Sequence, residues 1–258
     1  MSHQNRFSLQ GRYALVIGGT SGIGEAIAAG FLESGARVIV AGRDPTKLAR
    51  ALGALKALGD AHGYCADVSD FAALRGLVGT TLAQHGRIDI LVNSQGTTTL
   101  KPAEDFTPAD WDEIIGTNLQ SVFFACTEVG RHMLERGSGV IINIASLASY
   151  RGWERSALYG VSKAGVLNLT ETLAAEWAAR GVRVNGIAPG FFLTALNRDK
   201  MSAERKTLAL ARTPMGRFGE LSELVGAAIY LASPGASYVT GATVRVDGGF
   251  LASGMTRQ

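Results

Sequence analysis

Short apolar runs alternate along the chain with longer stretches whose apolar residues recur at helical spacing. The short runs are rich in β-branched residues, which is typical of strands buried on both faces of a parallel sheet. They are residues 13–17, 37–40, 88–93, 140–144, 183–187 and 243–246. The helical stretches are residues 23–34, 110–135, 161–180 and 222–232. This alternation predicts an α/β fold, a single Rossmann-type doubly wound parallel sheet of about seven strands with helices on both faces.

The chain shows no internal division. No linker, low-complexity tract or repeat interrupts it, so we expect residues 1–258 to form one domain. The longest region without a clear strand, residues 190–218, is rich in Arg, Thr and Met and follows a predicted strand. Because doubly wound sheets bind ligands at the carboxyl ends of their strands, we expect residues 190–218 to form a substrate lid.

Charge and hydropathy argue against two kinds of partner. The formal net charge of +3 is small for 258 residues and no basic run is interleaved with aromatic residues, so no nucleic-acid partner is expected. No segment approaches the roughly 20 uninterrupted apolar residues of a membrane span, so no membrane partner is expected. Residues 1–10 lack the apolar core of a signal peptide, and we therefore expect a cytoplasmic protein.

The cysteines and histidines show no metal-ligand spacing. Cys65 and Cys126 stand alone, so we expect buried, reduced thiols rather than a disulfide framework. The four histidines are scattered, and no metal site is expected.

A glycine-rich segment follows the first predicted strand and opens the first predicted helix. Residues 16–24 read Val-Ile-Gly-Gly-Thr-Ser-Gly-Ile-Gly. Such glycines allow a tight turn, and the helix N-terminus that follows offers N–H groups and a positive dipole end to a pyrophosphate. We therefore expect a dinucleotide to bind here. The candidate contacts are Gly18, Thr20, Ser21, Gly22, Ile23 and Gly24.

The end of the second predicted strand bears on the choice of nicotinamide cofactor. An acidic residue about 20 positions beyond the glycines normally binds the ribose 2′-OH of NAD, but Gly42 stands there and Arg43 follows it. A guanidinium can hold a 2′-phosphate by forked, charge-assisted hydrogen bonds, which favours NADP(H), with NAD(H) as the alternative. Arg43 could instead be a solvated loop residue before a helix that starts at Asp44-Pro45.

Four polar residues carry a pattern suited to carbonyl reduction. Tyr159 and Lys163 are four positions apart at the start of a predicted helix, so their side chains share a face. Ser146 ends a predicted strand, and Asn118 lies further upstream. Reduction needs a proton donor at the carbonyl oxygen, and a tyrosine beside an ammonium group has its pKa lowered towards neutral. A serine hydroxyl can stabilise the charge that develops on the oxygen.

These motifs resemble the short-chain dehydrogenase/reductase family over nearly the whole chain. The glycine spacing G-x-x-x-G-x-G and the Asn118, Ser146, Tyr159 and Lys163 intervals match that family's pattern. The resemblance implies that Tyr159 is the acid/base and that Lys163 also holds the nicotinamide ribose. It further implies that Asn118 holds a water of a proton relay. Asn118 could instead be a structural residue bonded to the backbone.

The same resemblance implies further cofactor contacts. Asp67 and Val68 stand where the family binds adenine, and residues 93–96 stand for its Asn-Asn-Ala-Gly stretch. Ile17, Ser94 and Gln95 depart from the family pattern, and Gln95 could alter the cofactor floor or reach toward the substrate. The remaining expected contacts are Asn93, Gly96, Pro189, Gly190, Phe192 and Thr194, together with Tyr159 and Lys163.

The substrate is less constrained by the sequence. Residues 150–155 should form one wall of the cleft, where Trp153 could pack on substrate and Arg151 or Arg155 could attract a carboxylate or phosphate. The alternative is an ordinary loop at a subunit contact. The C-terminal third looks most like gluconate 5-dehydrogenases, which implies a sugar acid such as gluconate and 5-ketogluconate. Two alternatives stay open: a 3-oxoacyl-thioester reductase, and a non-catalytic NADP(H)-binding regulator.

The resemblance also implies self-association. Members of the family usually form tetramers, so we expect a homotetramer. The apolar residues 249–255 are consistent with a tail that packs into a neighbouring subunit, whereas a monomer would have to bury them internally.

Overall fold

The computed structural model describes residues 6–194 and 201–253. Within them, one sheet contains seven parallel strands in the order β3-β2-β1-β4-β5-β6-β7. The strands are β1 (Tyr13–Ile17), β2 (Arg37–Gly42), β3 (Ala61–Cys65), β4 (Ile90–Asn93), β5 (Gly139–Ile144), β6 (Val182–Pro189) and β7 (Thr243–Val246). The doubly wound parallel sheet predicted from the sequence is therefore confirmed.

Helices cover both faces of the sheet. They are α1 (Gly22–Glu33), α2 (Pro45–Leu55), α3 (Phe71–His85), α4 (Pro108–Ile115), α5 (Ser121–Arg136), α6 (Ala157–Trp177), α7 (Ala203–Arg212) and α8 (Ser222–Ala232). Successive strand residues point to opposite faces, so Val16 packs in one core with α1 and α8, whereas Leu15 packs in a second core with α3, α5 and α6. Burial on both faces explains why most strands are continuously apolar in sequence.

Local capping chemistry fixes the start of α2. The Asp44 carboxylate accepts hydrogen bonds from the N–H groups of Thr46 (2.9 Å) and Lys47 (3.1 Å), and Pro45 occupies the first helical position. Asp44 therefore caps the helix whose start the sequence predicted at Asp44-Pro45.

The helix expected over residues 110–135 is interrupted. A π-helical turn, Gly116–Gln120, separates α4 from α5 and contains Asn118. Ser121 donates its hydroxyl proton to the Thr117 carbonyl at 2.6 Å, and Gln95 donates to Ser121 at 3.0 Å. Single π-turns inside helices are frequent at functional sites, and this one places Asn118 in the protein interior.

Two other expectations differ from the structure. The fourth strand begins at Ile90 rather than at residue 88. Cys65 is exposed at the end of edge strand β3, whereas Cys126 is buried as expected.

The chain's own side chains partly bury the C-terminal apolar segment. Phe250 stacks on Trp153 with ring centroids 5.6 Å apart and contacts Phe191 at 5.4 Å. The part of residues 249–255 that the structure describes, up to residue 253, therefore includes an aromatic anchor on its own subunit. No helix in residues 6–194 and 201–253 is long and apolar enough to cross a membrane.

Candidate active site

The expected site residues meet along the carboxyl edge of the sheet. The strand order reverses between β1 and β4, which is where doubly wound sheets open a crevice for ligands. The glycine loop follows β1, Gly96 follows β4, Ser146 follows β5, and Gly190 follows β6.

The glycine loop has the backbone geometry of a phosphate cradle. Gly18 has φ +76°, and a Cβ there would lie 2.7 Å from the Gln95 nitrogen. A Cβ at Gly24 would lie 2.3 Å from the Gly18 oxygen, so these positions exclude larger side chains. Ser21 precedes α1 without a side-chain capping hydrogen bond, which leaves the helix N-terminus available to an anion. These residues fit a dinucleotide pyrophosphate.

The remaining loop contacts lie close by. Thr20 is buried beside the loop, and the Thr194 side chain lies 3.6 Å from the position of a Cβ at Gly22. Ile23 packs against the core that contains α1, and Phe192 is buried and forms a bridge with Gly219.

The far end of the crevice carries Arg43 and Asp67. Arg43 is exposed after β2, and Asp67 follows β3. Hydrogen bonds from Ser69 lower the pKa of the Asp67 carboxyl, and the nearby Arg43 charge lowers it further. A Cβ at Gly42 would lie 2.7 Å from Thr20 Oγ1, so Thr20 occupies the space that an acidic side chain would need.

Lys163 is a buried cation. Its side chain is on α6, and only 4% of the residue surface is exposed. Nζ donates a hydrogen bond to the Ile144 carbonyl at 2.8 Å and lies 5.9 Å from the ring centre of Tyr159. Burial lowers the pKa of Lys163 to about 8.

Tyr159 differs from its expected electrostatics. Burial raises the pKa of its hydroxyl, and a hydrogen bond with Ser146 acts in the opposite direction without cancelling that rise. The expected lowering of the Tyr159 pKa by Lys163 does not offset this rise. Tyr159 is therefore protonated at neutral pH, the form that can donate a proton to a carbonyl oxygen.

The serines of this region have separate contacts. Ser146 follows β5, and its Oγ accepts the N–H of Ala148 at 3.1 Å. Ser149, three residues further along, donates its hydroxyl to the Lys163 carbonyl at 2.7 Å and so holds the turn on α6. Ser146 is the serine whose hydroxyl is also bonded to Tyr159.

The side chain of Asn118 binds the backbone. Its Oδ1 accepts the Thr97 N–H at 2.7 Å, and its Nδ2 donates to the Thr97 carbonyl at 2.9 Å and to Ser162 Oγ at 3.1 Å. A Cβ at Gly96 would lie 3.5 Å from Asn118 Oδ1 and 3.7 Å from Lys163 Nζ, so Gly96 lies against both. These bonds match the structural alternative for Asn118, and its place in a proton relay stays a proposal.

Two residues of the 93–96 stretch have buried side chains that bond within the protein. Asn93 donates to Asn143 at 2.9 Å and to Cys126, and its Oδ1 has no hydrogen-bond partner among the described residues. Gln95 donates to Ser121 rather than reaching toward substrate, and its Oε1 is buried without a described partner. Val68 is likewise buried in the core.

A pocket of about 160 Å³ contains both Ser146 and Tyr159. Trp153 lines it as expected, but Arg151 and Arg155 do not, since both are exposed on the loop surface. Arg205 of α7 lines the pocket instead and was missed, although it falls within the region expected to be a lid. The remaining lining residues are Thr98, Leu100, Leu147, Ala148, Ser156, Pro189, Gly190, Phe191 and Met201. A larger pocket of about 370 Å³ beside β7 contains none of the expected catalytic residues.

Comparison with known proteins identifies this arrangement. A family model described as enoyl-(acyl carrier protein) reductase matches residues 18–251. The chain belongs to the short-chain dehydrogenase/reductase family. The family, and the oxidoreductase class predicted from the sequence, are thereby confirmed.

Similar members of the family act on sugar derivatives. The chain is 40% identical to gluconate 5-dehydrogenase of Gluconobacter oxydans, over 98% of this chain and 100% of that protein. It is also 40% identical to D-threitol dehydrogenase of Mycolicibacterium smegmatis, over 95% of this chain and 94% of that one. A solved gluconate 5-dehydrogenase from Burkholderia cenocepacia, in complex with NADP and tartrate, superimposes with a TM-score of 0.93 at 38% identity, covering 98% of this chain and 100% of that one.

Proposed function

We propose that this protein is an NADP(H)-dependent oxidoreductase that interconverts a secondary alcohol and a ketone on a sugar acid, such as gluconate and 5-ketogluconate. The observation that carries the proposal is the pocket in which Ser146, Tyr159 and Arg205 lie together. The two hydroxyls suit a carbonyl oxygen, and the guanidinium suits an acid. The names of the gluconate 5-dehydrogenase relatives support the same substrate class.

The cofactor assignment rests on the two ends of the crevice. The loop at residues 18–24 would hold the pyrophosphate, and Arg43 would hold the 2′-phosphate. NADP in the solved Burkholderia cenocepacia relative supports this preference. When bound, the nicotinamide supplies the hydride that the chain's own side chains cannot supply.

The side chains then have distinct roles. Ser146 stabilises the substrate oxygen, and Tyr159 donates the proton to it during reduction. Lys163 holds its ammonium against the Ile144 carbonyl, where it would hold the nicotinamide ribose. Asn118 positions the loop that follows β4 through its two bonds to Thr97.

The test is NADPH oxidation with 5-ketogluconate and, side by side, with an acetoacetyl thioester. Fast reduction of the keto acid supports the proposal, whereas preference for the thioester would favour a 3-oxoacyl-thioester reductase. The variant Tyr159→Phe should lower turnover by roughly 10²–10⁴-fold while NADPH binding persists. Tyr238→Phe is the matched control, because Tyr238 is fully exposed. NADPH binding by the wild type without turnover of either ketone would contradict the proposal and favour a regulator.

Three broader features are also proposed. The lid expected at residues 190–218 would cover the substrate, since Met201 and Arg205 line the pocket, while residues 195–200 of that region lie outside the described residues. A homotetramer follows from family resemblance, and a monomer mass in light scattering would contradict it. A cytoplasmic location is proposed as well.

A further inference from the structure

Arg205 is an arginine without a described acidic partner. It lies in the first turns of α7, where Ser202 Oγ accepts its backbone N–H at 3.2 Å. Other arginines, such as Arg50 and Arg217, pair with carboxylates at 2.7 Å. The Arg205 side chain is half-buried and has no hydrogen bond or ion pair with residues 6–194 and 201–253.

The walls of the pocket leave that charge unbalanced. No Asp or Glu is among the described residues that line it, and Leu100, Leu147, Phe191 and Met201 make much of its surface apolar. Apolar walls lower the local dielectric and strengthen the attraction between a guanidinium and an anion. The pocket therefore favours a substrate that carries a negative charge.

Trp153 forms an aromatic wall of the pocket. Its Nε1 is buried and has no hydrogen-bond partner among the described residues. Its ring is held between Phe250 and Phe191, with centroids 5.6 Å and 5.4 Å away. Nε1 is closed off from the pocket, so Trp153 contributes its ring rather than its N–H to the pocket wall.

We infer that Arg205 binds the carboxylate of the substrate, so that this pocket selects polyhydroxy acids over neutral polyols. This inference rests on the proposed function and deepens it, because relatives of similar identity include both a gluconate and a threitol dehydrogenase. Arg205 is thus a specificity-determining residue that acts through the charge of the substrate and takes no part in proton transfer.

The test uses isothermal titration calorimetry to measure how D-gluconate and D-glucitol bind to the NADP⁺-loaded enzyme. The two ligands differ only in that D-gluconate has a carboxylate where D-glucitol has a neutral CH₂OH. The wild type should bind D-gluconate more tightly than D-glucitol. The variants Arg205→Ala and Arg205→Leu should lose roughly 10- to 100-fold in gluconate affinity, as expected for the loss of a charge-assisted hydrogen bond. Arg205→Lys should lose less, because it keeps the positive charge and loses only the forked guanidinium.

Arg212→Ala is the control, because Arg212 is an exposed arginine on the same helix that does not line the pocket. It should bind both ligands as the wild type does, and thermal melts should show that all variants fold. Unchanged gluconate affinity in Arg205→Ala, an equal loss for both ligands, or a wild type without preference for the acid would each overturn the inference. A wild type that binds gluconate through Arg205 but does not reduce 5-ketogluconate would support the inference and overturn the proposed substrate pair.

Discussion

Gly42 links the packing of the glycine loop to the choice of cofactor. In the sequence it stands where an acidic residue would bind the ribose hydroxyl of NAD, so Gly42→Asp is the direct way to exchange one cofactor for the other. In the structure, a Cβ at Gly42 would lie 2.7 Å from Thr20 Oγ1 and 2.8 Å from Thr20 Cγ2, but 3.4 Å from Thr20 Cβ. Gly42→Asp alone should therefore destabilise the protein. Combined with Thr20→Ala, it should be accommodated and should shift the cofactor preference from NADPH towards NADH.

The magnitudes follow from these contacts. Overpacking of this kind costs about 1–3 kcal/mol, and about 1 kcal/mol lowers the melting temperature of a large domain by about 2–4 °C, so Gly42→Asp alone should melt roughly 2–12 °C lower. Thr20→Ala removes both short contacts, so the double variant should regain most of that loss. Repulsion between the new carboxylate and the 2′-phosphate, about 1 kcal/mol in water and about 4 kcal/mol at an effective dielectric of 20, should weaken NADPH binding at least about fivefold.

The assay is a double-mutant cycle on Thr20→Ala, Gly42→Asp and the double variant. Melting temperature reports packing, and fluorescence titration with NADPH and NADH reports cofactor preference. A Gly42→Asp variant as stable as the wild type, or melting losses that simply add, would refute the steric argument. A well-folded double variant with an unchanged NADPH-to-NADH affinity ratio would show that position 42 does not face the ribose.

Three further predictions concern buried groups. Burial lowers the pKa of Lys163 from the ordinary 10.5 to about 8 in the folded protein. Between these two pH values the unfolded chain keeps a proton on Lys163 that the folded protein has lost. The free-energy cost of burying Lys163 therefore falls as the pH rises from about 8 to about 10.5. The wild type should therefore gain about 2 kcal/mol in free energy of unfolding relative to Lys163→Met as the pH rises from about 7 to about 9.5, measured by urea unfolding without cofactor. A stability difference between the two proteins that does not change with pH would contradict this. Gly30→Ala should destabilise the protein by about 1–3 kcal/mol, since its Cβ would lie 2.1 Å from a side chain of α8. Gly53→Ala should stabilise the protein by about 0.5–1 kcal/mol in the same assay, because a Cβ there would have no atom within 4 Å. In the native protein a thiol reagent should modify Cys65 and spare Cys126, whose pKa burial raises to about 12; rapid modification of both without denaturant would contradict the structure.

Features with a local physical cause could be predicted from the sequence. The glycine loop depends on neighbouring residues, and Tyr159 and Lys163 share a face because a helix turns once in about four residues. Strands buried on both faces are continuously apolar and therefore recognisable, whereas edge strand β3 reads Ala-His-Gly-Tyr-Cys and has little apolar character. The sheet, the cofactor loop and the four polar residues of the candidate site follow from such local signals.

Other features depend on contacts between distant segments. Nothing in the sequence separates Arg155 from Arg205 as a ligand for an acid, because the direction in which a surface side chain points is set by packing. The packing exposes Arg155 and places Arg205 in the wall of the pocket. The pKa values of Tyr159 and Lys163 likewise depend on burial rather than on spacing. The sequence by itself therefore determined the fold and the type of chemistry, since these follow from periodicity and residue type. Tertiary structure alone decided which charges face the substrate, because burial and orientation arise only when segments far apart in the chain pack together.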